Sequence, residues 1–166
     1  MPCSQNILTP YATRGEHIHH GYWPTPESQE TQTKEQAQIN LIRLLLETSE
    51  LPSNTTVLDV GCGIGGTSRY LASEHSCSVT GITISPKQVE IANRLTKARN
   101  EEHSQAGLSK SPDDGGFTQL GTGKVRFLEL DAEKMGDFFD GQQGSFDAVW
   151  ISEALSHFPN KALFFE

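Results

Sequence analysis

The chain reads as an α/β fold built on a parallel sheet, and three observations carry that reading. The stretch Thr55-Thr-Val-Leu-Asp-Val-Gly-Cys-Gly-Ile-Gly-Gly-Thr-Ser-Arg-Tyr-Leu-Ala72 passes from an apolar run through an acid into a glycine loop and then a helix. Apolar strand-like and helix-like segments alternate along the rest of the chain, as they do where parallel strands are joined by right-handed crossovers. Finally, Asp59, Thr83, Asp131 and Ser152 all fall at the ends of predicted strands, on the sheet edge where such folds bind ligands.

Residues 1–32, rich in Pro, Ser, Thr and Gln, are expected to form an arm laid over the domain or left partly disordered. Within it, Gly15-Glu-His-Ile-His-His-Gly-Tyr-Trp23 stands out. Glu16 and three histidines are metal-ligand types, but no second cluster accompanies them and no metal site is expected. A lid is the better reading, with Tyr22 and Trp23 as amphipathic surfaces over a ligand and, as the alternative, as packing anchors for the arm.

Ile39, Ile42, Leu45 and Leu46 recur at helical spacing, which predicts a helix over 33–50 opened by Thr33 and Gln36. Leu51-Pro-Ser-Asn-Thr55 breaks it. Val57, Leu58 and Val60 form an uninterrupted apolar strand, as in a sheet buried on both faces, and a helix follows from about Gly66 to His75. Ser78–Ile84 reads as the second strand. Ser85 and Pro86 supply an N-cap and a first helical residue for a helix to about Glu101. Glu102–Lys124 turns polar and glycine-rich and reads as a long surface loop. Val125–Asp131 and Phe146–Ile151 are the third and fourth strands, and a last helix starts near Pro159. About four parallel strands with flanking helices result, in one domain over residues 33–166 preceded by the arm at 1–32.

Composition narrows the function. The chain has 166 residues, 13 Lys and Arg against 21 Asp and Glu, and a formal charge of −8. No basic run offers a phosphate-tracking surface, so nucleic acid is not an expected partner. Cys3, Cys62 and Cys77 fit neither a disulfide framework nor a paired-cysteine metal site. With no apolar stretch long enough for a signal or a membrane span, a cytoplasmic location is expected.

The glycine loop fits two cofactor classes. Gly61, Gly63 and Gly66 satisfy G-x-G-x-x-G, but a dinucleotide site adds an acid about 20 residues on, at the end of the second strand. Gly81-Ile-Thr-Ile-Ser-Pro86 holds none. Asp59 instead sits two residues before the first glycine, where it can reach the ammonium of an amino-acid-like ligand. Asp59-Val-Gly-Cys-Gly-Ile-Gly65 resembles the first motif of class I S-adenosylmethionine-dependent methyltransferases. Together with Gly15–Trp23, Gly81–Pro86 and Phe146-Asp-Ala-Val-Trp150, it resembles the tocopherol and sterol C-methyltransferase group of small-molecule enzymes.

The resemblance implies a Rossmann-like class I methyltransferase sheet, S-adenosylmethionine as cofactor and a small, lipophilic methyl acceptor. It implies that Asp59, Gly61, Gly63 and Gly65 hold the methionine end of the cofactor, with Cys62 and Gln88 also among the cofactor-binding residues. Thr83 and Ile84 would lie by the ribose, Asp131 and Ala132 by the adenine, and Ser152 and Glu153 by the methyl group. His19, His20, Glu153 and His157 are the base candidates by type, and none is assigned. The family pattern continues beyond Glu166 with further strands, so the sheet is expected to be incomplete, with the fourth strand an exposed edge open to self-association. A cofactor-binding remnant without catalysis, or a subunit of a complete partner, is the alternative; a nicotinamide oxidoreductase comes third.

Overall fold

The computed structural model describes residues 15–104 and 115–165. In chain order these form α1 (Pro26–Thr31), α2 (Lys34–Ser49), β1 (Thr56–Val60), α3 (Gly66–His75), β2 (Ser78–Thr83) and α4 (Pro86–Ser104). They continue with β3 (Thr118–Leu120), β4 (Gly123–Glu129), α5 (Met135–Phe138), β5 (Ala148–Ile151) and α6 (Lys161–Phe165), with 3-10 turns at Ala132–Lys134 and Leu155–His157.

The sheet order is β3-β4-β2-β1-β5. β1 pairs in parallel with β2 on one side and β5 on the other, so the chain reverses its direction of travel at β1. That reversal opens a crevice at the carboxyl end of β1. The register brings Val60 opposite both Ile82 and Ile151, and Thr83 opposite Glu129, so the strand ends share one edge.

One expectation needs correction. The segment 102–124 is not wholly loop: α4 continues to Ser104, and Thr118–Leu120 pairs antiparallel with β4, so the sheet is mixed at this edge. Leu120, 1% exposed, anchors this short strand in the core, a tertiary contact that three residues of sequence do not signal. The arm carries a short helix of its own. Thr25 and Ser28 form a capping box that starts α1 just after Pro24. Residues 105–114 and Cys3 lie outside the described residues.

The long helices start where their sequence signals stand. Thr33 Oγ1 accepts the Gln36 N–H at 3.1 Å and caps α2, while Ser85 Oγ accepts the Gln88 N–H at the start of α4. Ile42 of α2, Leu71 and Ala72 of α3 and Ala92 of α4 pack with Val57, Val79, Val125, Phe127 and Trp150 into the main core. On the opposite face Leu58, Val60 and Ile82 are covered by partly buried side chains from residues 128–164. No helix among the described residues is long and apolar enough to cross a membrane.

Candidate functional site

A cavity of about 420 Å³ lies at the carboxyl ends of β1, β2, β4 and β5, within the roughly 300–1,000 Å³ typical of small-molecule sites. Its floor is the β1 exit. Asp59 is 3% exposed, and its carboxylate accepts the Ser68 hydroxyl at 2.5 Å from α3. Burial pushes the Asp59 carboxyl up to about 6, against the pull of the Ser68 hydrogen bond.

Gly61 and Gly63 turn the chain over this floor. Gly63 has φ +56, a left-handed conformation that other residues adopt only with strain, and a Cβ there would also displace the tip of Ile18, whose Cδ1 would lie at 2.5 Å. The N–H groups of Gly61 and Cys62 both donate to the Ile82 carbonyl, at 2.9 and 3.0 Å. These two donors are therefore committed to the sheet and do not point at a ligand.

The remaining walls come from the other strand ends. Thr83 donates its hydroxyl to Gln88 Oε1 at 2.6 Å, fixing both against the β2 exit, and Ile84 stands at the rim, 71% exposed. Asp131 caps the turn after β4, accepting the Glu133 N–H at 3.1 Å, with Ala132 beside it. Ser152 and Glu153 follow β5, and Glu153 adopts φ +59, an uncommon conformation for a non-glycine residue. Every cofactor-site residue named from the sequence lines this cavity except Gly65. Gly65 instead forms the N-cap of α3 and leaves room for the Phe127 ring and for Arg69.

Residues that the sequence did not single out also line the cavity: Ile18, Thr67, Glu133, Leu130, Phe158 and Pro159. Glu133 was legible as a second acid two residues past a strand end. The others reach the site by tertiary folding alone.

The arm meets the cavity through Ile18 and His19, and not through Tyr22 and Trp23, which are absent from its lining. Gly21 and Tyr22 lie along α2, where the Tyr22 N–H donates to the Ala37 carbonyl at 2.8 Å. Gln38 of α2 donates to the His17 and His19 carbonyls. His17 is buried, and burial together with the nearby His19, Arg69 and Arg99 lowers its pKa to about 3, so it is neutral.

Of the base candidates, His19, Glu153 and His157 line the cavity, while the His20 side chain is 90% exposed outside it. His20 Nδ1 and the His20 N–H both bond the Glu153 carboxylate, at 2.8 and 3.2 Å. Burial raises the Glu153 carboxyl, and these His20 hydrogen bonds outweigh it and hold the group below the usual range. Among the described residues no group of three or more His, Cys, Asp or Glu side chains is arranged to hold a metal.

Four carboxylates, Asp59, Asp131, Glu133 and Glu153, line the cavity, and among the described residues no Lys or Arg does. Such a site favours a cationic ligand over a pyrophosphate.

Residues 58–166 match the family described as "Methyltransferase domain". The chain is 39% identical over 153 residues to 2-methyl-6-phytyl-1,4-hydroquinone methyltransferase of Synechocystis sp., covering 90% of this chain and 39% of the relative. It is 35% identical over 158 residues to the chloroplastic tocopherol O-methyltransferase of Arabidopsis thaliana, covering 90% and 38%. It thus spans well under half the length of these curated relatives. Among solved structures, mycolic acid cyclopropane synthase CmaA1 complexed with SAH and CTAB superposes with a TM-score of 0.56, at 23% identity over 86% of this chain and 39% of that one. The mostly parallel sheet, the cavity at the β1 exit and the family match agree, and the chain belongs to the class I S-adenosylmethionine-dependent methyltransferase family.

Proposed function

We propose that this cavity binds S-adenosylmethionine and that the chain is the cofactor-binding part of an enzyme that methylates a small, lipophilic acceptor. The observation that carries the reading is the charge of the cavity, lined by four carboxylates and, among the described residues, by no Lys or Arg. A dinucleotide would bring its pyrophosphate against those carboxylates. S-adenosylmethionine brings a sulfonium and an ammonium.

Asp59, desolvated on the cavity floor, is the group suited to the ammonium, with Gly61, Cys62 and Gly63 beside it. Thr83, Ile84 and Gln88 would hold the ribose, Asp131 and Ala132 the adenine, and Ser152 and Glu153 would border the methyl group. The bound cofactor supplies a methyl already activated by positive sulfur. The chain's own contribution is alignment and exclusion of water, so the segment Glu16–Trp23 serves as a lid whose Ile18 covers the loop. No residue is assigned as base.

The lipophilic acceptor follows from the names of the relatives, a tocopherol and a phytyl hydroquinone methyltransferase. Cys62 and Cys77 are free and buried, which supports a reducing compartment and the cytoplasm; the Arabidopsis relative is described as chloroplastic. The alternative reading is cofactor binding without catalysis.

Calorimetric titration with S-adenosylmethionine and, separately, with a nicotinamide dinucleotide tests the first reading: the former binds and the latter does not. Gly63→Val abolishes binding while circular dichroism stays unchanged. Wild-type affinity in that variant overturns the assignment. Binding without transfer to any lipophilic phenol selects the second reading.

A further inference from the structure

The arm is tied to the glycine loop by a side chain that lines no part of the cavity and is shielded from water. Arg69, in the first turn of α3, is 0% exposed. Its Nη1 donates to the Ile64 carbonyl of the loop at 2.7 Å, and its Nη2 to the Glu16 carbonyl of the arm at 3.2 Å. The Glu16 carboxylate lies 3.8 Å from Arg69 Nε and 3.1 Å from Arg99 Nη1 of α4. One planar fork thus holds loop and arm together, with a second guanidinium behind it.

This approach depends on the residues next to the loop being small. A Cβ on Gly65 would come within 3.1 Å of Arg69 Nη1, and one on Gly66 would meet the Glu16 carbonyl and His17 Nδ1. Two residues beyond Glu16, Ile18 lies on Gly63 at the cavity. Further along, the arm is held again by His20 on Glu153. The two attachments differ in kind: Arg69 is buried and His20 is largely exposed. Exposed ion pairs hold weakly, whereas charge-assisted bonds shielded from water are stronger. Burial draws the Arg69 pKa down to about 10, still far above neutral, so the fork remains charged.

We propose that Arg69 is a positioning residue, the fixed pivot that sets the register of the arm so that Ile18 closes over the cofactor loop, with the contact between His20 and Glu153 as the end that releases. Its ligand rests on the S-adenosylmethionine reading, and its geometry does not. A lysine would not replace it, because a single ammonium lacks the flat fork that spans two carbonyls.

Amide hydrogen exchange over residues 15–23 in the cofactor-free chain, and calorimetric affinity for S-adenosylmethionine, test the proposal on full-length variants. Arg69→Met and Arg69→Lys should both speed exchange in 15–23, by about tenfold or more, leaving β1 and β2 protected. If Arg69 acts through Ile18, Arg69→Met and Ile18→Ala each weaken binding by about tenfold, and the double variant falls well short of the hundredfold of independent effects. Fully multiplicative losses overturn the proposal, as does unchanged exchange in 15–23 or full rescue by lysine. If Arg69→Met fails to fold, Arg69→Lys takes its place in the same cycle, because it keeps the buried charge and loses only the fork. A wild-type chain that binds no S-adenosylmethionine would overturn the functional reading, and the exchange measurement alone would then decide this one.

Discussion

On one face of the sheet, Val57, Val79, Val125, Phe127 and Trp150 lie under α2, α3 and α4, in a core whose helical members Ile42, Leu71, Ala72 and Ala92 are each at most 1% exposed. On the other face, Leu58, Val60 and Ile82 are buried, yet every side chain packed over them, from Leu128 to Phe164, is itself only partly buried. The same strands feed both faces, so strand propensity does not account for the difference. What differs is the cover: three long helices on one side, and on the other the turn after β4, α5, the turn after β5 and α6, each of five residues or fewer. A short helix presents too little apolar surface to exclude water from its own contacts.

The comparison predicts unequal responses to truncation. Leu71→Ala on the helix-covered face should destabilise by about 3–5 kcal/mol, because a rigid, fully packed site cannot collapse into the space left. Phe164→Ala on the open face should cost about 1 kcal/mol although it removes more atoms, since Phe164 is partly exposed and packs edge-on with Phe158 and Phe165. Denaturant titrations of the two variants measure the contrast. Equal losses would mean that the C-terminal elements cover their face as tightly as the helices do.

Asp59 sharpens the contrast from inside the site. It alternates with Leu58 and Val60 along β1 and therefore points to the helix-covered face, where Ser68 of α3 meets it. That cover desolvates the carboxyl, raising its pKa from 3.8 to about 6. A raised acid pKa means that the folded state holds the proton more tightly, so this group's contribution to stability is complete below about pH 3.8 and is lost as the pH rises through about 6. The loss is on the order of 2–3 kcal/mol in the cofactor-free chain. The difference between wild type and Asp59→Asn, followed by thermal melting from pH 4 to 7, isolates it. Affinity for S-adenosylmethionine should run the opposite way and rise through about pH 6, because the ammonium pairs with the ionised form; Asp59→Asn should flatten that profile. A wild-type profile without that rise removes Asp59 from the ammonium site.

Much of the helix-covered face was legible in the chain. The 3.6-residue spacing of Ile42, Leu45 and Leu46 and the apolar β1 run encode elements that bury one another, and the strand-end positions of Asp59, Thr83, Asp131 and Ser152 follow from the alternation of strand and helix. Two kinds of feature were not legible. The first is contact made only by the folded chain, such as Ile18 over Gly63 or the three-residue β3 anchored by Leu120. The second is competition for one group. Gly65 has the residue type and spacing of a ligand contact, yet Phe127 and Arg69 occupy its open side. The Gly61 and Cys62 N–H groups, in a glycine loop beside the cavity, bond the Ile82 carbonyl and not a ligand.

The smallest effect on stability is expected where the open face reaches the sheet edge. β5 pairs with β1 and, among the described strands, with no other. Val149, opposite Leu58, is 54% exposed, whereas its neighbour Trp150, turned to the helix side, is 8% exposed. Val149→Lys therefore removes little buried area, and its long stem can lie on the sheet while the ammonium stays in water, so stability should change by no more than about 0.5 kcal/mol. Its effect on association should be larger. An apolar edge with free N–H and C=O groups is a template for another strand, and a lysine there opposes pairing by desolvation and by like-charge repulsion across a symmetric contact. Sedimentation at tens of micromolar should find wild-type chains self-associating and Val149→Lys chains monomeric. A wild-type chain that stays monomeric at that concentration would mean that the exposed strand is protected by its twist and shortness alone.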